Sequence, residues 1–332
     1  MNFDYSEEQQ LLADSVRRFL EKNYDFETRK KTIAGQGWSP QVWATFVDMG
    51  LTGLPLPADY GGFGGGAVDL MGVMEAFGEA LVVEPYLPTV MAARLVARGG
   101  SAAQKSAILP AVAEGRMKLA LGYDEKHRAV LGAPAADKLV MAAKGGLALV
   151  NAGKVKMKPY RTLDNMLAAD VALDGAPLEP LGGGAAALEE AIDFGTALIC
   201  AEAVGAMKFA CDTTLEYLKT RKQFGVPIGT FQALQHRMVE MFISHEQAKS
   251  MACLACSKVD SSENPAERAR AVSAAKIKIA DSARHISQEA VQLHGGMGMS
   301  EELKVSHAFR RLTVLARQFG DADHHLARFA SL

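Results

Sequence analysis

Residues 221–235, RKQFGVPIGTFQALQ, place a cation, an amide and an aromatic ring within a few positions of one another. The guanidinium of Arg221 can form bidentate, charge-assisted hydrogen bonds with phosphate oxygens. The ring of Phe224, next to Gln223, offers a stacking surface to a dinucleotide. The segment therefore favours the binding of a phosphate-bearing dinucleotide. Taken alone, it also fits a solvated cation at a helix end, with Phe224 as a core anchor.

A second segment, QLHGGMG at 292–298, combines Gln292 with the adjacent glycines Gly295 and Gly296. Without a Cβ, two consecutive glycines let a phosphate-bearing ligand approach the main chain closely. The alternative is structural, because a helix C-cap also explains Gly295. The spacing of this turn after Arg221 favours the binding interpretation.

Long helices must position both segments. Helical periodicity bounded by Gly, Pro or Asn predicts four helices in the last part of the chain, which together form a bundle: Ala185–Thr220, Thr230–Val259, Ala266–His294 and Glu301–Gln318. We assign residues 185–332 to this C-terminal four-helix bundle domain. Both candidate segments then lie at helix ends within it.

The rest of the chain predicts two further domains. Residues 1–114 form an N-terminal helical domain, opened by an amphipathic helix that Ser6 caps. Residues 115–184 form a reduced middle domain of short strands, predicted at four places: Lys118–Leu121, Lys138–Met141, Ala148–Val150 and Val155–Met157. The predicted fold class is therefore mostly α, with a small β-rich insert.

The segment at 221–235 resembles the RxQFGxPIxxFQxxQ signature of the acyl-CoA dehydrogenase family, and residues 292–298 resemble its glycine turn. GLTGLPLPADYGGFG at 50–64 resembles a third family motif, in the first domain. The resemblance covers essentially the whole chain and implies the acyl-CoA dehydrogenase fold with FAD as cofactor. It assigns the adenosine and pyrophosphate half of FAD to Arg221, Gln223, Phe224, Gln292, Gly295 and Gly296.

The chain departs from the family where the chemistry takes place. The usual catalytic glutamate falls on Phe319, and the alternative base position falls near Gly195. Neither residue can take the α-proton of a thioester, which requires a base within hydrogen-bond reach. Asp321 and Asp323 follow closely, but we expect them to occupy an exposed terminal turn. The catalytic residue of this chain is therefore unknown.

The middle domain also lacks the family's ring-holding signature. Residues 119–127, LALGYDEKH, and 153–159, GKVKMKP, carry neither the hydroxyl cluster nor the tryptophan of the family's flavin-ring strands. Both tryptophans of the chain, Trp38 and Trp43, lie in the first domain. We therefore expect the isoalloxazine ring to be held elsewhere.

These features resemble the small subunits of heteromeric acyl-CoA dehydrogenases of the pimeloyl-CoA and steroid side-chain type, including the ending FGDADHHLAR at 319–328. The resemblance implies α,β-dehydrogenation of an acyl-CoA by a heterotetramer with a larger dehydrogenase-like subunit, and an electron-transfer flavoprotein as acceptor. Three alternatives stay open. They are a self-sufficient homo-oligomer with a non-standard base, a flavin monooxygenase or oxidase of the same fold, and a flavin-free helical scaffold.

Composition narrows the class of partner and the cellular location. The chain has 332 residues, 49% hydrophobic, and a formal charge of −2, so it lacks the basic field that nucleic acid attracts. Four cysteines in helical stretches predict a reduced, cytoplasmic protein. Apolar runs broken by Gly, Asp or Glu predict no membrane insertion. We expect no metal site, because the adjacent histidines His324 and His325 diverge on a helix.

Overall fold

The structure is a computed structural model that describes residues 5–124, 126–143 and 146–332. Within these residues the chain forms eleven α-helices, and its strands lie between the sixth and seventh helices and in one short hairpin. The order of elements confirms the predicted fold class. The division into three domains, with boundaries at 114/115 and 184/185, stays a prediction. The residues group into two compact units, Met1–Phe26, Met71–Val82 and Thr196–Leu332 in unit 1, and Glu27–Leu70 and Val83–Gly195 in unit 2.

The N-terminal part is helical, as predicted. Ser6 caps the first helix, accepting a hydrogen bond from the N–H of Gln9, whose side chain accepts one from the N–H of Ser6 in return. The second helix was not predicted, because four of its nine residues are charged and its buried residue is Arg29 rather than an apolar one. The six helices are α1 Glu7–Asn23, α2 Phe26–Ala34, α3 Pro40–Asp48, α4 Ala67–Ala80, α5 Tyr86–Gly99 and α6 Ala102–Ala113.

Unit 2 contains seven strands in two small sheets. One sheet has the order β1-β3-β4-β7, with β1 parallel to β3 and the other pairs antiparallel; the second is the antiparallel sheet β2-β6-β5. Buried aliphatic side chains such as Leu139, Val150 and Val171 form a common core. The four predicted strands are present; β2, β6 and β7 are additional. The strands are β1 Leu119–Gly122, β2 Val130–Leu131, β3 Lys138–Ala143, β4 Gly146–Asn151, β5 Lys156–Arg161, β6 Leu167–Ala172 and β7 Glu179–Leu181.

The C-terminal part has five helices rather than four. Helix α11 was missed, and the terminal turn predicted around Asp321 and Asp323 is its beginning. Asp321 is the N-cap and accepts a hydrogen bond from the N–H of His324 at 2.9 Å. The elements are α7 Gly184–Thr220, strands β8 Lys222–Gln223 and β9 Val226–Pro227, α8 Gln232–Ser261, α9 Pro265–His294, α10 Lys304–Leu315 and α11 Ala322–Ala330.

Helix α7 corrects the expectation about apolar segments. By length and hydropathy α7 could cross a membrane. The sequence did not predict this, because Asp193, Gly195 and Glu202 interrupt its apolar runs. In the structure 89% of its most apolar window is buried. Burial within the fold accounts for the composition of α7, and the helix is a core element.

Two glycines allow close backbone contact inside unit 1. A Cβ at Gly78 in α4 would lie 1.9 Å from the carbonyl oxygen of Glu202, and a Cβ at Gly205 in α7 would lie 1.9 Å from that of Glu75. Real Cβ atoms do not approach backbone oxygens so closely. The absence of side chains at these two positions therefore sets the distance between α4 and α7.

Replacing Gly205 by alanine is expected to destabilise the protein. The added methyl group must push two helix backbones apart, and overpacking of this kind costs about 1–3 kcal/mol. Urea denaturation of wild type and G205A gives the change in the free energy of unfolding. The matched control is G153A, because no heavy atom lies within 4 Å of a Cβ at Gly153. Equal stability of G205A and G153A would refute this account.

Candidate cofactor-binding site

The first signature segment folds into a hairpin that follows directly on α7. The N–H of Arg221 donates to the carbonyl of Tyr217, and the carbonyl of Arg221 accepts from the N–H of Ile228, both at 2.8 Å. At the tip, Phe224 and Gly225 have φ of 56° and 83°, as in the tight turns that match the twist of paired strands. Arg221 is thereby fixed at the base of the hairpin.

The second signature segment ends α9. Gly295, with φ of 63°, stops the helix, and its N–H donates to the carbonyl of Gln292. No heavy atom lies within 4 Å of a Cβ built on Gly295 or Gly296. The structural interpretation of Gly295 as a helix cap is therefore correct, and the two glycines also leave the main chain open on one side.

The structure brings five of the six predicted cofactor residues into one cavity of about 570 Å³. Arg221 and Gln223 come from the hairpin, and Gln292, Gly295 and Gly296 come from the end of α9. Phe224 does not line this cavity: it is 90% exposed at the hairpin tip, with its ring edge-on to Phe231 at 6.0 Å. Phe224 is therefore not the buried core anchor of the alternative interpretation.

Three polar residues of the cavity were not predicted as ligands. Arg237, in α8, donates from Nε to Oε2 of Glu289 at 2.5 Å, and this bond raises the pKa of Arg237. His294 and Tyr217 also line the cavity, with their rings stacked at 4.4 Å. The sequence feature that could have pointed to Arg237 is its place near the start of α8, shortly after Leu234, which also lines the cavity. Nothing in the sequence placed Tyr217 against His294.

The charge and shape of the cavity favour an anionic ligand with a flat apolar part. Two guanidinium groups line it, and Glu289 holds one of them in place. The remaining wall is largely apolar and is supplied by Ile228, Leu234, Leu293 and Met297. This combination suits a nucleoside diphosphate, because cations bind its two phosphates and apolar surfaces pack against its base.

Phe319 and Gly195, the two residues predicted at the base positions, carry no carboxylate, and the structure shows what surrounds each of them. Phe319 is 9% exposed in a left-handed turn with φ of 60°, and its carbonyl accepts a hydrogen bond from Nε2 of His325 at 3.1 Å. A Cβ at Gly195 would lie 2.3 Å from Cε of Met91, so a longer side chain there would require the flexible Met91 side chain to move. Asp321 is used as a helix cap.

The two segments that lack the family's flavin-ring signature lie at and next to strands β1 and β5. Residues 119–122 form β1, and Asp124 then closes a turn by accepting hydrogen bonds from the N–H groups of Lys126 and His127. Glu125 lies outside the described residues. Lys156 and Lys158 in β5 are exposed, on the edge of their sheet. Among the described residues, no group of three or more His, Cys, Asp or Glu side chains is arranged to hold a metal ion.

Comparisons with known proteins decide the family. Residues 6–116 match the model of the acyl-CoA dehydrogenase N-terminal domain, and residues 182–330 match that of the acyl-CoA dehydrogenase C-terminal domain. Acyl-CoA dehydrogenase IpdE2 of Mycobacterium tuberculosis is 30% identical over 92% of this chain and 91% of its own length. The chain belongs to the acyl-CoA dehydrogenase family. It is therefore an enzyme of the oxidoreductase class.

A further relative resembles this chain in sequence, and two solved structures resemble it in fold. IpdE2 of Mycolicibacterium smegmatis is 29% identical over 97% of this chain and 98% of its own length. A chain of the ChsE4-ChsE5 complex of Mycobacterium tuberculosis superimposes with a TM-score of 0.93 at 24% identity, covering 100% of this chain and 98% of that one. Glutaryl-CoA dehydrogenase of Mycobacterium smegmatis, in complex with FADH2, superimposes with a TM-score of 0.87 at 19% identity. The match covers 98% of this chain and 94% of that one.

Proposed function

We propose that this chain takes part in the FAD-dependent α,β-dehydrogenation of an acyl-CoA thioester, as the base-lacking small subunit of a heteromeric, cytoplasmic acyl-CoA dehydrogenase. One observation carries the proposal. Five signature residues converge on a single cavity, while Phe319 and Gly195 occupy the positions that would hold the base. The chain thus combines a site suited to the nucleotide half of FAD with no carboxylate at either base position.

The cavity residues fit the adenosine diphosphate part of FAD. Arg221 and Arg237 would bind the two phosphates, with Glu289 keeping the second guanidinium oriented. Gly295 and Gly296 leave the main chain accessible at the end of α9. Gln223 and Gln292 would supply amide groups to the ribose and adenine. When bound, FAD would supply the acceptor for the hydride that leaves the β-carbon of the acyl group.

This chain would contribute orientation rather than proton transfer. Holding the cofactor by its nucleotide end fixes its position at low entropic cost during the reaction. The α-proton would pass to a carboxylate of the larger subunit, because neither Phe319 nor Gly195 can accept it. The product would be the α,β-unsaturated thioester, with the electrons passed on to an electron-transfer flavoprotein.

Exposed apolar side chains support a protein partner. Val239, Phe242 and Ile243 are exposed on α8 at helical spacing, and Phe224 is exposed at the hairpin tip. Exposed aromatic and aliphatic side chains that lie close to a ligand site in the sequence are typical of a surface that another subunit covers. The related ChsE4-ChsE5 structure is a complex of two differently named chains. A larger acyl-CoA dehydrogenase-like subunit is the partner that fits both observations.

The test is anaerobic reduction of the flavin by acyl-CoA. The purified chain with added FAD is expected to show no bleaching of the visible flavin absorbance, because it lacks the base. The complex reconstituted with a larger acyl-CoA dehydrogenase-like subunit is expected to bleach. Bleaching by this chain alone would instead establish a self-sufficient homo-oligomer, and oxygen consumption by the reduced form would establish an oxidase or monooxygenase. A complex that contains no flavin would point to a scaffold.

A further inference from the structure

Helix α11 is held to the fold by a histidine rather than by an apolar face. Of its nine residues, all of which the structure describes, only His325 is buried, with 1% of the residue exposed. The larger apolar side chains of the helix, Leu326 and Phe329, are exposed. Helix α9, in contrast, buries apolar side chains such as Val272 and Ile279. Because a nine-residue helix is only marginally stable in water, the order of α11 depends strongly on the contacts of His325.

Both ring nitrogens of His325 make hydrogen bonds. Nε2 lies 3.1 Å from the carbonyl oxygen of Phe319, and Nδ1 lies 3.3 Å from Oγ of Ser273 in α9. A carbonyl oxygen can only accept, so Nε2 carries the proton and donates it. Nδ1 is then the acceptor for the hydroxyl group of Ser273. The neutral imidazole therefore joins α11 both to α9 and to the turn at 316–320.

Lys276 fixes the other end of the same turn. This lysine of α9 is completely buried, and its ammonium group donates to the carbonyl of Leu315, the last residue of α10. Within the turn, Phe319 has left-handed backbone with φ of 60°. A residue with a Cβ keeps such a conformation only where the surrounding contacts enforce it. Lys276 and His325 supply these contacts from the two sides of the turn.

A proton added to His325 would enter a buried and positively charged environment. Burial lowers the pKa of Lys276, but only to about 8, so the lysine is charged at neutral and acidic pH. Burial and the charge of Lys276 lower the pKa of His325 to about 4. The nearby thiol of Cys200 stays neutral, because burial raises its pKa to about 12. The other charged or titratable groups around the pair are His324 and Arg328 on α11, which also disfavour the imidazolium, and the exposed N-cap Asp321.

We infer that α11 is an acid-released helix: protonation of His325 detaches α11 from α9 and frees the turn at 316–320, while α7 to α10 stay folded. In the detached helix the imidazole lies in water, where its pKa returns to about 6.5. The detached state therefore binds more protons than the docked state between about pH 6.5 and about pH 4. Lowering the pH through this window drives detachment.

The release of α11 would also open a cavity. Asp321, Ala322 and Asp323, at the start of α11, line a cavity of about 460 Å³ together with residues of α9 and α10 such as Arg284 and Phe309. The wall that α11 supplies leaves with the helix. Acid thus changes both the accessibility of this cavity and the conformation of the turn at Phe319.

Hydrogen–deuterium exchange of the full chain at about pH 7.5 and about pH 5 tests this inference. Dividing each rate by the intrinsic rate of an unstructured peptide at the same pH gives the opening equilibrium of each helix. In wild type, the protection of α11 peptides is expected to fall about 25-fold between the two pH values, as a pKa of about 4 when docked and about 6.5 when detached requires. Peptides from the middle of α9 are expected to keep their protection.

Two variants show whether His325 is the group that responds. In H325Q the amide can donate to the carbonyl of Phe319 but does not titrate, so the protection of α11 should change little with pH. H324Q is the matched control, because it replaces the adjacent exposed histidine of the same helix. Its α11 peptides should lose protection at about pH 5 as wild type does.

Three results would overturn the inference. Unchanged protection of α11 in wild type at both pH values would mean that His325 does not control the helix. An equal loss in H325Q would assign the pH response to another group. A parallel loss in α9 would mean that the chain opens as a whole and does not release α11. The first and third results require the wild type alone.

Discussion

Replacing Arg221 by alanine is expected to weaken the binding of FAD and of ADP by about 10- to 100-fold, the value of a charge-assisted hydrogen-bonding pair with phosphate. Arg221 leads from α7 into the hairpin, where its own carbonyl and N–H are both hydrogen-bonded. The change therefore removes the guanidinium from a backbone that stays in place. Fluorescence titration with FAD and calorimetry with ADP measure the loss.

Two further variants show whether the geometry of Arg221 matters or only its charge. R221K keeps the charge and loses the planar fork, so we expect intermediate affinity. K222A removes a neighbouring cation of β8 that does not line the cavity, and it should bind both nucleotides like wild type. Equal losses in R221A and K222A would mean that the site attracts anions by general charge alone, and the assignment of Arg221 would be wrong.

Removing either member of the buried Glu202–Arg311 ion pair is expected to lower the free energy of unfolding by about 3–5 kcal/mol. The guanidinium donates from Nε at 2.7 Å and from Nη2 at 2.8 Å to the two carboxylate oxygens. The side chains are 4% and 5% exposed, so either substitution removes both charge-assisted hydrogen bonds from a partner that is held away from water. Urea denaturation of E202A and R311A gives both values.

A second bidentate arginine–glutamate pair, whose carboxylate is exposed to water, provides the control. Arg310 donates through both Nη atoms to the carboxylate of Glu301 at 2.7 and 2.9 Å, but the side chain of Glu301 is 71% exposed. Because water screens that pair, R310A should cost less than about 1 kcal/mol. The apolar double variant E202L/R311M should also be far more stable than either single variant. Equal costs for R311A and R310A would contradict this account.

The sequence was most informative where local chemistry determines structure. The capping pattern at Ser6, the apolar periodicity of α7 to α9 and the short strands of unit 2 are each visible within one element, and the structure confirms them. Helix α2 lacks that periodicity because four of its nine residues are charged, and α11 has only nine residues. The two-residue strand β2 and the three-residue strand β7 are defined by their pairing partners, which no single segment reveals.

In the candidate site, too, residues within one motif could be predicted, and residues that depend on distant partners could not. Arg221, Gln223, Gln292, Gly295 and Gly296 could be predicted because they belong to contiguous motifs, and the structure places them in one cavity. Arg237 and His294 depend on tertiary contacts with Glu289 and Tyr217, 52 and 77 residues away in the chain. The bidentate pair of Glu202 and Arg311 likewise arises from the packing of α7 against α10.

A structure of this chain in complex with its larger subunit and FAD tests the central claim most directly. We expect the diphosphate within hydrogen-bond distance of the Arg221 guanidinium, the adenine at the end of α9, and the flavin ring held by the other subunit. A flavin ring enclosed by residues 117–182 of this chain, with one of its own carboxylates beside the acyl α-carbon, would contradict the account.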